Sequence, residues 1–137
     1  MTWSVILRDM VEYVSTDEAP NSDALPFSQG TIHGDTVYTS GQVGIDPETG
    51  EIVEGGIRAE TRQTLENVAA VLEAAGSSMD SALKATVFLT DMDEFAEFNE
   101  VYAEFVDEPR PARSAVEVSE LARDLAVEIE MVAALED

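Results

Sequence analysis

Arg113 and Glu128 are the side chains best suited to chemistry in this chain. Arg113 stands in "EPRPARSAVEV", residues 108–118, behind two prolines and at the head of an alternating run. An arginine fixed there can grip a carboxylate through two parallel, charge-assisted hydrogen bonds. Glu128 is the first acid of "VEIE", and a glutamate near such a grip can orient a water or take its proton. If the last two strands are neighbours, both side chains leave the same face of a sheet. A structural ion pair on that sheet is the competing reading of the same two residues.

Three further positions have chemical potential. Gly41, in "TSGQVGIDPETG" (39–50), interrupts a strand-like run, which marks a bulge or a place where a ligand meets bare backbone. The segment is not a phosphate loop, since it lacks the lysine-bearing pattern and no helix follows directly. Asn99 accompanies an aromatic stripe, where its amide can cap backbone or face a ligand. Phe27, in "LPFSQG", can wall a pocket or simply cover the core. His33, the only histidine, sits before a turn and reads as solvated.

The elements that must hold these residues follow from periodicity. Residues 11–15 alternate like a short strand, and 15–26 form a proline-containing loop. Residues 28–34 and 36–43 read as two strands joined at Gly34-Asp35. A surface turn occupies 46–51. From Ile57 to Ala75 the apolar stripe Ile57, Thr61, Leu65, Val68, Leu72 and Ala75 is helical, with Gly76 as its stop. Residues 82–90 make a strand. A second helix starts at Asp91, with Glu94 at the capping-box position; it carries Phe95, Phe98, Tyr102 and Phe105 and ends at Pro109. Two strands, 113–119 and 126–135, close the chain.

This order predicts an α+β domain with two helices on one face of a sheet. In the last two strands, Val116 and Val118 align with Val127, Ile129, Met131 and Leu135 under the helices. Arg113, Ala115 and Glu117 align with Glu128 and Glu130 on the opposite face. That polar face is either wet or covered by another subunit.

Composition excludes several classes. The 137 residues suit one domain, and 45% apolar content suits a packed core. No run approaches the roughly 18 apolar residues of a membrane span, and the N-terminus lacks the form of a secretory signal. These features predict a cytoplasmic protein, with Met10 as an alternative start. The chain has no cysteine, so neither disulfides nor thiolate metal sites are expected. A lone histidine excludes multi-histidine metal centres. The formal charge of −22, from 29 acids against seven basic residues, repels nucleic acid and anionic membranes. Dispersed acids with one lysine predict a salt-adapted, halophilic source.

Taken in order, "LPFSQG", "VYTSGQVGIDPETGEIVEGG", "FNEVYAEF", "PARSAVEV" and "VEIEMVAAL" resemble the RidA/YjgF family of reactive-intermediate (enamine/imine) deaminases. The resemblance runs from about Val11 to Ala134 and leaves residues 1–10 outside as an N-terminal extension to a domain of 11–137. It implies a chorismate-mutase-like α+β fold, a homotrimer with clefts between protomers, and no metal or organic cofactor. The implied reaction hydrolyses 2-iminoacids, and the 2-aminoacrylate-type enamines in equilibrium with them, to 2-oxoacids and ammonia. By resemblance Arg113 pairs with the substrate carboxylate, Glu128 positions the attacking water, Gly41 meets the ligand through backbone, and Asn99 lines the cleft. Phe27 stands where active members usually have tyrosine, and Ala115 where cysteine is frequent. Two rival functions are a trimeric, non-enzymatic sensor of small 2-oxoacids and an RNA-cleaving protein. The acidic surface opposes the second.

Overall fold

The computed structural model describes residues 10–21 and 23–137; the expected extension therefore falls, except for its last residue, outside the described residues. Strands β1 (Glu12–Val14), β2 (Gly30–His33), β3 (Thr36–Thr39) and β4 (Gln42–Val43) precede helix α1 (Gly56–Ala75). Strand β5 (Ala82–Leu89), helix α2 (Phe95–Phe105), β6 (Ala112–Glu117) and β7 (Val127–Ala134) complete the fold. The sheet order is β1-β2-β3-β7-β5-β6, with β4 also paired to β7. Among the described residues only the β5–β6 pairing is parallel. The result is a mixed sheet with two helices and one core, as the element order predicts.

The core lies where the apolar stripes meet. Ile57, Leu65, Val68, Val71 and Leu72 of α1 and Phe98 of α2 pack on Val37, Ala85, Val87, Leu89, Val127, Ile129 and Met131 of the sheet. The burial of β7 alternates strictly, the pattern of a strand with one covered face. Gly76 ends α1 in the left-handed conformation at φ 92°, and the neighbouring Ser77 N–H closes on the Leu72 carbonyl at 2.8 Å. Among the described residues no helix is long and apolar enough to cross a membrane.

Four sequence expectations need correction. The run 36–43 is not one strand. Tyr38 is opposite Val132 whereas Gln42 is opposite Ile129, so the 38–42 side holds one extra residue and Gly41 sits in a bulge. The second helix begins at Phe95, after a separate single turn at Met92–Glu94. Asp91 caps that turn by accepting from Asp93 N–H, and the Glu117 carboxylate of β6, not Glu94, takes the Met92 N–H at 2.8 Å. The helix stops at Phe105, four residues before Pro109, because Val106 is already extended.

The strand order also changes the site. Strands β6 and β7 are not neighbours, because β5 lies between them. Ala85 faces Arg113 on one side and Met131 on the other, whereas Phe88 faces Val116 and Glu128. Side chains in one cross-strand row share a face. Arg113, Ala115 and Glu117 therefore lie on the helix side, with Ile129 and Met131. Val116 lies on the open side with Glu128 and is 45% exposed. Alternation within each strand is as expected, but β6 is out of phase with β7 by one residue.

Candidate active site

Arg113 and Glu128 thus occupy opposite sides of one sheet, not one face. On the helix side, the Arg113 guanidinium donates to Asn99 Oδ1 at 2.7 Å. Its Cζ lies 4.9 Å from the Tyr102 ring centroid, 5.4 Å from Phe95 and 5.7 Å from Phe98. All three distances are within cation–π range. Helix α2 makes this possible because positions 95, 98, 99 and 102 fall on one helical face. The structure brings Arg113 and Asn99 together. Ala115 stays on their side, partly buried against the core.

Glu128 belongs to the open side. It lines a pocket of about 280 Å³ with Phe27, Ser40 and Gly41. A Cβ on Gly41 would stand 2.6 Å from Glu128 Oε2 and 2.8 Å from its carboxyl carbon. Only glycine lets this backbone approach the carboxylate so closely. Burial, and after it the neighbouring Glu130, pushes the Glu128 carboxyl above the usual carboxylate range. A base so tuned holds and releases protons nearer neutrality.

Several side chains fix this pocket. At the bulge, Thr39 Oγ1 accepts the Met131 N–H at 3.0 Å and takes the place of a ladder carbonyl. Asn67 of α1 is 1% exposed and donates to the carbonyls of Val43 and Ile45, each at 2.9 Å. Its own carbonyl receives Gln63 at 2.9 Å. Gln29, also buried, donates to the carbonyls of Thr16 and Pro20 and accepts the Thr16 N–H. That ties Thr16 and Pro20 back to the residue two beyond Phe27. The Ser40 hydroxyl donates to the Ser28 carbonyl, which ties Phe27 to the bulge.

Of the expected site residues, Phe27, Gly41 and Glu128 meet in one pocket, and Arg113 and Asn99 meet at another place. His33 is exposed at the hairpin end. Sequence reading passed over Asn67, Gln29 and Tyr102. Asn67 had a usable signal, an amide within the apolar run of α1, because such a group must find partners once buried; Gln29, between Ser28 and Gly30, had none. Tyr102 read as one more member of a core stripe. Its hydroxyl is buried with no hydrogen-bond partner among the described residues, and burial raises its pKa while Arg113 and Arg110 work against the rise.

Comparison with known proteins gives consistent results. The family model for Endoribonuclease L-PSP matches residues 16–135. A RutC family protein of Pyrococcus horikoshii is 51% identical over 124 residues, spanning 90% of this chain and 98% of its own. The 2-iminobutanoate/2-iminopropanoate deaminase of Mus musculus is 42% identical over 130 residues, 95% of this chain and 93% of its own. The crystal structure of Escherichia coli TdcF with bound serine matches at a TM-score of 0.85 and 41% identity, covering 91% of this chain and 99% of that one.

Proposed function

Because the chain belongs to the Endoribonuclease L-PSP family, the RidA/YjgF proteins that its motifs resemble, we propose that it deaminates reactive 2-iminoacids by hydrolysis. It does so as a homotrimer, at clefts between protomers. The carboxylate of the iminoacid docks on Arg113, steadied by Asn99. Glu128 holds a water against C2, with the Gly41 backbone and Phe27 as walls. The water oxygen adds to the electrophilic C2, Glu128 takes one of the water's protons, and that proton passes on to the imine nitrogen, which becomes an amine. The carbinolamine then expels ammonia as its hydroxyl gives up its proton, leaving the 2-oxoacid. An enamine substrate first takes a proton at C3 to become the iminoacid. Positioning supplies most of the acceleration, since the imine carbon is already electrophilic.

The observation that carries this reading is Glu128, a carboxylate with a raised pKa set against bare backbone in a pocket. Its separation from Arg113 supports the trimer. One chain presents the grip on the helix side and the base on the open side, so a small substrate meets both where two chains join. The open face also carries Tyr38 and Val116, 48% and 45% exposed, as a sheet awaiting a neighbour does.

A second reading, a trimer that binds small metabolites without turning them over, draws support from serine bound to TdcF and from Phe27, which lacks a phenolic hydroxyl. RNA cleavage is disfavoured by the charge of −22. The deciding experiment supplies freshly generated 2-iminobutanoate from a dehydratase and follows ammonia and 2-oxobutanoate. Wild type is expected to speed their release, and Glu128→Gln to lose about 10²–10⁴ of that acceleration. A wild-type rate equal to the spontaneous one, with tight oxoacid binding, would establish the sensor instead.

A further inference from the structure

The chain has 29 acids, and three of the six basic side chains among the described residues pair with one of them. Arg58 pairs with Glu100 at 2.6 Å, Arg62 with Glu104 at 3.0 Å and Arg110 with Glu108 at 3.2 Å. Arg113 does not. Among the described residues its guanidinium has no carboxylate within ion-pair distance, and its side-chain hydrogen-bond partner is the neutral Asn99 amide. Three aromatic rings complete its surroundings. They form one continuous group: Phe95 stacks on Phe98 at 6.3 Å and 16°, and Phe98 meets Tyr102 at 5.6 Å.

We propose that Phe95, Phe98 and Tyr102 form an aromatic cradle that aims the Arg113 guanidinium without neutralising it. This rests on the reading of Arg113 as the carboxylate grip. A guanidinium drawn out of water must have its hydration replaced, and an acid of the fold would replace it by cancelling the charge. Ring faces replace it through their quadrupole instead, and an amide oxygen takes one of the five N–H donors. The full positive charge and the remaining donors are left for a ligand. Held on two sides, the fork keeps one direction, so less rotamer freedom is lost when a carboxylate arrives. The rings are positioning residues, since they act through Arg113.

The Tyr102 hydroxyl is consistent with this division of labour. It lies buried with no hydrogen-bond partner among the described residues, so the ring is the part of Tyr102 that the cradle uses. Asn99 has a complementary role: an aspartate there would keep the shape and the contact yet supply the counter-charge that the site excludes.

The test uses the full-length chain, with 2-oxobutanoate as the carboxylate probe. Its Kd is measured by calorimetry beside the NMR order parameter of the Arg113 Nε–Hε group, one of only six arginine signals. Phe95→Leu and Tyr102→Leu are expected to raise the Kd roughly tenfold and to loosen Nε–Hε. Tyr102→Phe, which keeps the ring, restores both. Asn99→Asp weakens binding at least as far while Nε–Hε stays ordered, which separates neutralisation from misaiming. Thermal melts identify any variant that is not folded, and Phe95, only partly buried, can lose its ring without opening the core. Leucine variants with wild-type Kd and wild-type order overturn the cradle. If wild type binds no 2-oxobutanoate, the carboxylate-grip reading fails, and the order parameters alone decide whether the rings hold Arg113.

Discussion

On the helix side of the sheet, Arg113 is held by an amide and three rings. On the open side, Glu128 stands against a bare glycine with a second acid, Glu130, for company. The two regions differ in kind: one is aromatic and fixed, the other a pocket open to solvent. They share one feature: among the described residues neither side chain is in ion-pair contact with an opposite charge. A cation already paired must break that pair before it takes a ligand carboxylate, and a glutamate already paired with a cation is a weaker base. What unites the two sides is the withholding of counter-ions.

The largest expected effect breaks the helix-side half. Arg113→Ala should cost about 2–5 kcal/mol of transition-state stabilisation, read as a fall in kcat/KM in the dehydratase-coupled assay. A variant with full activity would remove the grip from the account. Next comes the open side. Gly41→Ala places a methyl group where the Glu128 carboxylate lies and should lower kcat about a hundredfold by moving the held water. Affinity for a 2-oxoacid, which depends on the other half, should change far less. Equal losses in both quantities would mean that the halves are not separable in this way.

The smallest effect sharpens the contrast through pH. The proposed base, Glu128, can act only when ionised, so kcat/KM should rise with pH through a value above the ordinary glutamate range. The same shift fixes a stability sign. A carboxyl with a higher pKa in the folded chain binds its proton more tightly there, so folding is favoured near and below the unfolded value. That advantage is lost as the pH rises through the folded value. At neutral pH, ionised Glu128 is therefore a standing cost, and Glu128→Gln should melt slightly above wild type while losing activity. The gap should close in acid. A glutamine variant that melts lower at neutral pH would contradict the assigned environment.

Much of the fold was legible because its signals are local. The hairpin at Gly34-Asp35, the α1 stripe with Gly76 as its stop, and the anomaly at Gly41 each depend on neighbours in sequence. The site residues were legible as types: Gly41, Phe27 and Glu128 do meet, and Arg113 does meet Asn99. Their relation across the sheet was not. Alternation assigns each strand two faces but cannot say which face of β6 matches which face of β7 when β5 separates them. Parity there is set by the parallel register Ala85–Arg113, which no run of residues encodes. The aromatic cradle was hidden for a related reason, since Phe95, Phe98 and Tyr102 have the spacing of any core-facing stripe.

Whether grip and base come from different chains is decided by mixing two inactive variants. Arg113→Ala and Glu128→Ala proteins are unfolded together in equal amounts, refolded to random trimers and assayed for iminoacid hydrolysis. If each cleft joins Arg113 of one protomer to Glu128 of the next, about a quarter of the clefts regain both residues and activity returns. If both residues serve one chain's own site, no cleft is complete, and the mixture stays as inactive as its parents.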